Sequence, residues 1–197
     1  MIPRQLILGA VVMIILALGM SLYAWHMRGR ASQPEAASTQ PVEPPVSGPT
    51  EAVTLYIAYD DGEVLRAQAA RIPLPAGRQE RAEELLRALL NIYLDKSSPH
   101  LLGAGSEIRN VYLVDPGLAV IDLNAAFADG HRSGVLIEEL TVASLVETLA
   151  TNIPGITRAK ILVDGKERDT LAGHLDLTNF YDVAAFSQLA LQLQSRR

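Results

Sequence analysis

The chain has 197 residues, a formal net charge of −5 at pH 7 and no cysteine. An acidic balance without a basic stripe argues against a nucleic-acid partner. The lack of cysteine excludes a disulfide framework, a thiolate nucleophile and a lipidated N-terminal cysteine. Once a non-globular N-terminus is set aside, about one domain remains, which is long enough to bury a core.

Residues 1–30 are predicted to form a membrane anchor. The segment 6–25 contains no charged residue, and 20 helical residues cover the thickness of a bilayer's hydrocarbon core. Tyr23 and Trp25 end this segment, where aromatic rings favour the headgroup level. A cleaved signal peptide is the alternative, but His26–Arg30 makes a poor cleavage site. The flanking charges are nearly balanced and lean toward a cytoplasmic C-terminal side.

Residues 31–50 are predicted to be a linker. This stretch contains 5 prolines among Ser, Thr, Gln and Glu residues, so it cannot bury apolar surface and should stay extended. A polyproline II spacer of this length would reach on the order of 60 Å. The predicted folded domain, residues 51–197, would then be held away from the membrane.

Alternating apolar and polar residues predict a set of β-strands. These are Val53–Tyr59, Val64–Ile72, Ile108–Val114, Leu118–Leu123, Arg158–Val163 and a last short strand at Thr170–Leu177. The turn signals Asp60-Asp61-Gly62 and Asp115-Pro116-Gly117 join the first four strands into two hairpins. Leu118–Leu123 is apolar on both faces, which is typical of a strand in the middle of a sheet.

An apolar period near 3.6 residues predicts helices between these strands. One helix runs from Gln79 to Tyr93, and a second runs from about Val135 to Asn152. A C-terminal helix is predicted at about residues 182–195, with Asp182 as its cap. The resulting ββαββαβ order predicts an α+β fold with a mostly antiparallel sheet and helices packed on one face.

The order of elements and several short sequences resemble the GerMN domain, a bacterial envelope module named for a sporulation and spore-germination protein. The matching segments are Val53–Tyr56, Asp61-Gly62, Leu85-Leu86, Ala119–Asn124, Thr148-Leu149, Ile161–Gly165 and Gly173–Leu177. The resemblance covers roughly residues 52–180. It departs from the family at Asn91-Ile92-Tyr93, where a Gly-Pro pair is often found, so that loop differs here.

The resemblance implies an extracytoplasmic, membrane-tethered binding or assembly module with no established catalytic residues. It places the domain on the periplasmic side of the cytoplasmic (inner) membrane, against the weak charge bias of the anchor's flanks. The expected partner is an envelope protein or the cell wall, no cofactor is expected, and a homo-oligomer stays open. Because no nucleophile elbow, Walker loop, H-E-x-x-H or C-x-x-C motif occurs in the sequence, an enzyme is not expected.

Polar residues cluster where the segment Leu118–Leu123 leaves the predicted sheet. Asp122, Asn124, His131 and Arg132 are candidates for ligand or partner binding, because binding residues favour loops on a rigid scaffold. Loop capping is the alternative, in which Asp122 satisfies backbone donors. A cell-wall hydrolase using Asp122 or His131 would need a deep pocket with a base near a nucleophile. A small-ligand sensor would need an enclosed apolar cavity.

The second predicted helix has a small, polar flank beside its apolar stripe. Glu138, Thr141 and Thr148 lie on this flank at helical spacing, together with Gly134 and Asn152. The first three are candidate partner contacts, because small residues let a partner's backbone approach closely. The alternative is a helix face exposed to water.

His174 and Asp176 are weak candidates for metal ligands. They are two residues apart in the predicted last strand, so their side chains would share a face. Because no third or fourth ligand is indicated nearby, we predict no metal site.

Overall fold

The structure is a computed structural model that describes residues 48–75, 77–114 and 116–188. The predicted membrane anchor, nearly all of the predicted linker and the end of the predicted C-terminal helix lie outside the described residues. Within the described ranges, no helix is long and apolar enough to cross a membrane.

The secondary-structure elements follow the order expected from the sequence as far as the strand Arg158–Val163, with a 3₁₀ helix at Asp60–Gly62 and one short α-helix in addition. They are β1 (Thr50–Tyr59), β2 (Val64–Pro73), α1 (Arg78–Leu94), β3 (Ile108–Val114), β4 (Leu118–Leu123), α2 (Ala125–Asp129), α3 (Val135–Asn152), β5 (Arg158–Val163) and β6 (Tyr181–Asp182). Residues 183–188 are also helical. Asp182 Oδ1 accepts a hydrogen bond from the backbone N–H of Ala185 at 3.2 Å, as expected of the predicted cap.

The strands form two sheets. Strands β1 and β2 pair as an antiparallel hairpin, and the second sheet has the order β3-β4-β5-β6. The α+β prediction is confirmed, but "mostly antiparallel" needs a correction, because β4 and β5 run parallel. The reason is the connection between them: α3 carries the chain back along the sheet, and such a crossover makes consecutive strands parallel.

The segment Thr170–Leu177 is not a strand, which corrects a second expectation. It is a loop closed by an isolated bridge between Thr170 and Asp176. Three backbone N–H groups of this loop, at Ala172, His174 and Leu175, donate to the Glu138 carboxylate instead of to a neighbouring strand. A side-chain acceptor therefore replaces the ladder that the alternating pattern suggested.

Helices α1 and α3 cover one face of the four-stranded sheet, where the core lies. The paired residues Val111, Ile121 and Ile161 point to this face and are fully buried. The predicted stripe of α1 packs in the same core: Ala82, Leu85, Leu86, Leu89 and Tyr93. Each large apolar side chain buried in this way contributes about 1.5–3 kcal/mol.

Side chains, not further strands, satisfy the free edge of β1. The backbone N–H of Tyr56 donates to Thr148 Oγ1 at 3.0 Å. Asn152 accepts from the N–H of Thr54 at 3.1 Å and donates to its carbonyl at 2.7 Å. The N–H of Ala58 donates to the Tyr93 hydroxyl at 2.9 Å. These bonds fasten the hairpin to α1 and α3 and occupy the edge that another strand would need.

The outer edge of β3 is covered in the same way by one residue of α1. The Gln79 amide donates to the carbonyl of Val111 and accepts from the N–H of Leu113 at 3.4 Å. This two-point contact copies the pairing that a neighbouring strand would make.

Candidate functional site

The structure separates the seven candidate binding residues by exposure. Asp122, His131, Glu138, Thr141 and Thr148 are buried, Asn124 is half-buried, and only Arg132 is exposed. A partner of the folded domain can therefore touch Arg132 directly. The other side chains are engaged inside the domain.

Asp122 and Asn124 hold the loops that surround the end of β4. Asp122 Oδ1 accepts from the backbone N–H of Gly165 at 2.7 Å. Asn124 Oδ1 accepts from Phe127 N at 2.9 Å and from Glu107 N at 3.0 Å, so it caps α2 and fixes a second loop. These are the contacts that the loop-capping alternative predicts.

Glu138 is a fully buried carboxylate surrounded by backbone N–H donors. Besides the three donors of the 172–175 loop, the N–H of Gly134 donates to Oε1 at 3.1 Å. Burial opposes ionisation of Glu138, but these four backbone donors outweigh it and lower its pKa to about 2. The carboxylate stays charged at neutral pH and ties the loop to the first turn of α3.

Thr148 and Asn152 show what the polar flank of α3 contacts. The backbone that approaches this flank is β1 of the same chain, and Thr148 is fully buried there. The flank is therefore not a helix face exposed to water. Binding of a partner at Glu138, Thr141 or Thr148 stays a prediction that would require the domain to open.

Four side chains from separate segments form a buried polar network, which we call the histidine network: Asp60, His100, Thr141 and His131. His100 Nδ1 lies 2.6 Å from Asp60 Oδ1, and His100 Nε2 lies 2.6 Å from Thr141 Oγ1. His131 Nε2 lies 2.7 Å from the same hydroxyl, and His131 Nδ1 lies 2.7 Å from the carbonyl oxygen of Arg132. The Arg132 guanidinium pairs with Asp60 Oδ2 at 2.5 Å.

The histidine network has the connectivity of a nucleophilic triad but not its access to substrate. Asp60 orients His100, and His100 faces a hydroxyl, as an acid–base–nucleophile relay requires. The Thr141 side chain is 0% exposed, however, so a substrate cannot reach the hydroxyl in this arrangement. Burial lowers the pKa of His100, with the Asp60 carboxylate acting in the opposite direction. Burial also lowers the pKa of His131.

Sequence reasoning did not single out Asp60 and His100 as partners of His131 and Thr141. His100 is 40 residues from Asp60 and 41 residues from Thr141 in the sequence, so no local spacing indicates these contacts. The one signal available was a histidine, His100, that follows a proline in a loop rich in small residues.

His174 and Asp176 do not converge on a common point with other ligands. His174 Nδ1 lies 3.1 Å from Glu138 Oε1, whereas Asp176 accepts from the hydroxyl of Thr178 at 2.6 Å. The Thr178 hydroxyl and backbone N–H together lower the pKa of Asp176. Nowhere in residues 48–75, 77–114 and 116–188 do three His, Cys, Asp or Glu side chains group as metal ligands would.

Among the clefts of the described surface, two lie beside α1, and neither is lined by Asp122 or His131. One, of about 160 Å³, lies between α1 and the start of β3 and is lined by Glu83, Arg87, Leu90, Glu107, Ile108 and Arg109. The other, of about 340 Å³, lies where α1 begins, and Arg78 and Arg81 contribute to its lining.

A family model described as "Germane: Sporulation and spore germination" matches residues 54–169. The chain belongs to the Germane family. The resemblance to the GerMN domain predicted from the sequence is thereby confirmed. A search of the curated proteins found no match.

Three solved structures to which this Germane chain is similar are from Bacillus subtilis and Clostridium perfringens. The tandem GerMN domains of the sporulation protein GerM from Bacillus subtilis align with a TM-score of 0.50 and 19% identity, covering 68% of this chain and 46% of that one. The first GerMN domain of the same protein gives 0.47 and 21%, covering 66% and 94%. A protein from Clostridium perfringens described as a lipoprotein gives 0.45 and 20%, covering 70% and 89%. Identities this low speak for the fold alone.

The outer face of the Germane domain's four-stranded sheet carries exposed apolar side chains, together with the buried polar residues Asp122 and Lys160 of its central strands. Tyr112 and Val114 of β3 point away from the helices and are 48% and 46% exposed. Phe180, at 55% exposed, lies at the other side of the sheet, beside β5, with the Arg158 guanidinium 5.5 Å from its ring centre. Half-buried apolar residues of the central strands fill the space between: Leu118, Val120 and Leu162.

Proposed function

We propose that this chain is a membrane-anchored binding or assembly module of the bacterial envelope that is not an enzyme. Its domain lies on the periplasmic side of the inner membrane and contacts a protein or the cell wall. The uncharged segment 6–25 and the proline-rich stretch after it support the anchor and the spacer. The Germane family's description supports an envelope role of the kind that sporulation and germination proteins have.

The observation that carries this proposal is the set of exposed apolar side chains on the outer face of the four-stranded sheet: Tyr112, Val114 and Phe180. Exposed aromatic side chains are enriched at protein interfaces, and an apolar patch with a charged rim marks a docking surface. Tyr112 and Phe180 provide the aromatic groups, and Arg158 provides a cation beside Phe180. Between the two partners proposed, this chemistry favours a protein.

A partner seated on this face would gain most from the two aromatic side chains. Each is about half exposed, so covering it removes on the order of 100 Å² from water, worth about 2.5 kcal/mol before the costs of association. Replacing Tyr112 by Ala should therefore weaken the complex by at least about fivefold.

In-cell photo-cross-linking of the full-length chain tests the proposal. A photoreactive residue at position 112 should give an adduct with an envelope protein, and one at position 68 should not. Gln68 is the matched control because it is an exposed strand residue on the two-stranded sheet. Equal adducts at both positions, or none at 112, would contradict the proposed docking face. If the domain is periplasmic, added protease should degrade it only after the outer membrane has been permeabilised.

A cell-wall hydrolase stays the second candidate because of one contact, the 2.7 Å approach of His131 Nε2 to Thr141 Oγ1. That pair has the distance of a base and its nucleophile, but both groups are buried. The assay is turnover of purified cell wall by the full-length protein. Turnover that disappears in His131→Gln or Asp122→Asn would support the hydrolase and overturn the binding module.

A small-ligand sensor is a third candidate, and the two clefts beside α1 do not favour it. A sensor needs an enclosed apolar cavity. The two described clefts instead carry charged side chains, such as Glu83 and Arg87 in one and Arg78 in the other.

A further inference from the structure

The histidine network contains more hydrogen-bond acceptors than its neutral form has protons to satisfy. On the outer side of each ring, Nδ1 faces an acceptor: the Asp60 carboxylate for His100 and the Arg132 carbonyl for His131. Both Nδ1 atoms must therefore carry a hydrogen. In a neutral imidazole the other nitrogen, Nε2, is then an acceptor only.

The two Nε2 atoms meet at a single hydroxyl. They lie 2.6 Å and 2.7 Å from Thr141 Oγ1, which owns one proton and has the Ile137 carbonyl as a further acceptor at 2.9 Å. If both rings are neutral, the hydroxyl can donate to only one of them. The other contact then sets two lone pairs against each other at hydrogen-bond distance, which is destabilising inside a protein.

One additional proton removes this conflict. We propose that the histidine network stores one proton on His100, so that an imidazolium–carboxylate pair with Asp60 is part of the folded domain at neutral pH. His100 Nε2–H then donates to Thr141, the Thr141 hydroxyl donates to His131, and His131 Nδ1–H donates to the Arg132 carbonyl. The four contacts that join Asp60, His100, Thr141, His131 and the Arg132 carbonyl then become hydrogen bonds in one directed chain, and the Thr141 hydroxyl no longer donates to the Ile137 carbonyl.

The charges around the network place the proton on His100, not on His131. His100 has the Asp60 carboxylate against it, and that carboxylate is shared with the Arg132 guanidinium. His131 faces a neutral carbonyl and the other imidazole, and the carboxylates of Glu138 and Asp60 act on it only through longer-range charge interactions. The phenols of Tyr93 and Tyr59 lie on the α1 and β1 sides, and burial raises the pKa of Tyr93, so it stays neutral.

Burial acts against the stored proton, because it lowers the pKa of both rings. The Asp60 carboxylate and the recovered hydrogen bond act in the opposite direction. The hydrogen bond recovered on protonation favours the charged ring, because a hydrogen bond made only by the charged form of a group stabilises that form.

The stored proton would join four segments that are far apart in sequence. Asp60 lies in the β1–β2 turn, His100 in the loop after α1, His131 in the loop after α2 and Thr141 in α3. The network also carries Arg132, the exposed residue among the candidate binding positions. A partner that draws Arg132 away from Asp60 would alter the charge balance around His100, and binding would then be linked to proton uptake or release.

Nitrogen-15 NMR of histidine side chains in the full-length chain tests the stored proton. At pH 7.5 we expect both ring nitrogens of His100 to be protonated and His131 to be in the neutral Nδ1–H form. Thr141→Val and Asp60→Asn should each lower the proton affinity of His100 at least tenfold. Thr148→Val is the matched control on the same helix, because Thr148 contacts a backbone N–H and no histidine.

The results that overturn the proposal are equally specific. Two neutral rings at pH 7.5 in the unmodified chain would do so without any variant. Equal shifts in Thr141→Val and Thr148→Val would show that the effect is general loosening of the helix. If Thr141→Val does not fold, the unmodified chain and Asp60→Asn decide the outcome.

Discussion

Replacing Glu138 by Gln should remove the part of the domain's acid-induced loss of stability that comes from this carboxylate. The substitution keeps the size of the side chain but replaces an oxygen acceptor by an amide donor that faces backbone N–H groups. Those groups belong to Gly134 and to the loop residues Ala172, His174 and Leu175. At least one of them would lose its partner inside the domain.

The pKa of Glu138 gives the size of the effect. Its folded value of about 2 lies below the ordinary value of 4.5. A difference of one between the folded and unfolded pKa corresponds to about 1.4 kcal/mol. The carboxylate therefore stabilises the folded domain by about 3 kcal/mol. Because the folded pKa is the lower one, this stabilisation is complete above pH 4.5 and is lost as the pH falls toward 2.

Urea unfolding at several pH values measures the prediction. At pH 7, Glu138→Gln should lower the free energy of unfolding by about 3 kcal/mol, and the difference from the unmodified chain should shrink between pH 4.5 and 2. Glu147→Gln is the control, a buried glutamate of the same helix whose pKa burial raises despite a hydrogen bond from Ser187. It should be neutral or stabilising at pH 7. A Glu138→Gln effect that is the same at pH 7 and pH 2.5 would refute the reasoning.

Two further substitutions test the backbone and the covered strand edge by thermal or urea unfolding. Gly117→Ala should destabilise the domain by about 2 kcal/mol or more, because the φ of Gly117 is +79° and a Cβ would lie 2.6 Å from the carbonyl oxygen of Gly155. Gly77→Ala is the control and should change the stability little, because the space around Gly77 is open. Thr148→Val should cost about 1–3 kcal/mol by leaving the Tyr56 N–H without its acceptor, whereas Thr151→Val on the exposed side of the same helix should be nearly neutral. Similar losses in a substitution and its control would contradict either explanation.

Local patterns predicted the elements whose burial is set by a regular period. The helix over Val135–Asn152 and the strands Ile108–Val114, Leu118–Leu123 and Arg158–Val163 have the predicted bounds. Apolar residues repeat about every 3.6 residues in the helix and every 2 residues in the strands, and turn residues mark the ends. Asp182 was also found as a cap from its position before an apolar stripe.

What the sequence did not indicate depends on contacts between distant residues. The parallel pairing of β4 with β5 follows from the path of α3, which no local pattern records. The Thr170–Leu177 loop alternates like a strand because Leu171 and Leu177 are buried, yet the Glu138 carboxylate takes its backbone donors. The histidine network was missed for the same reason, since its members come from four segments.

The amide of Gln79 blocks strand addition at the outer edge of β3. It occupies a register position on β3 where a neighbouring copy could otherwise add its own strand. Shortening that side chain to Ala would expose the backbone of Val111 and Leu113, and fibres or strand-swapped dimers would become accessible. A chain held at a membrane at high local density would benefit from such a safeguard, because crowded neighbours otherwise pair edge to edge.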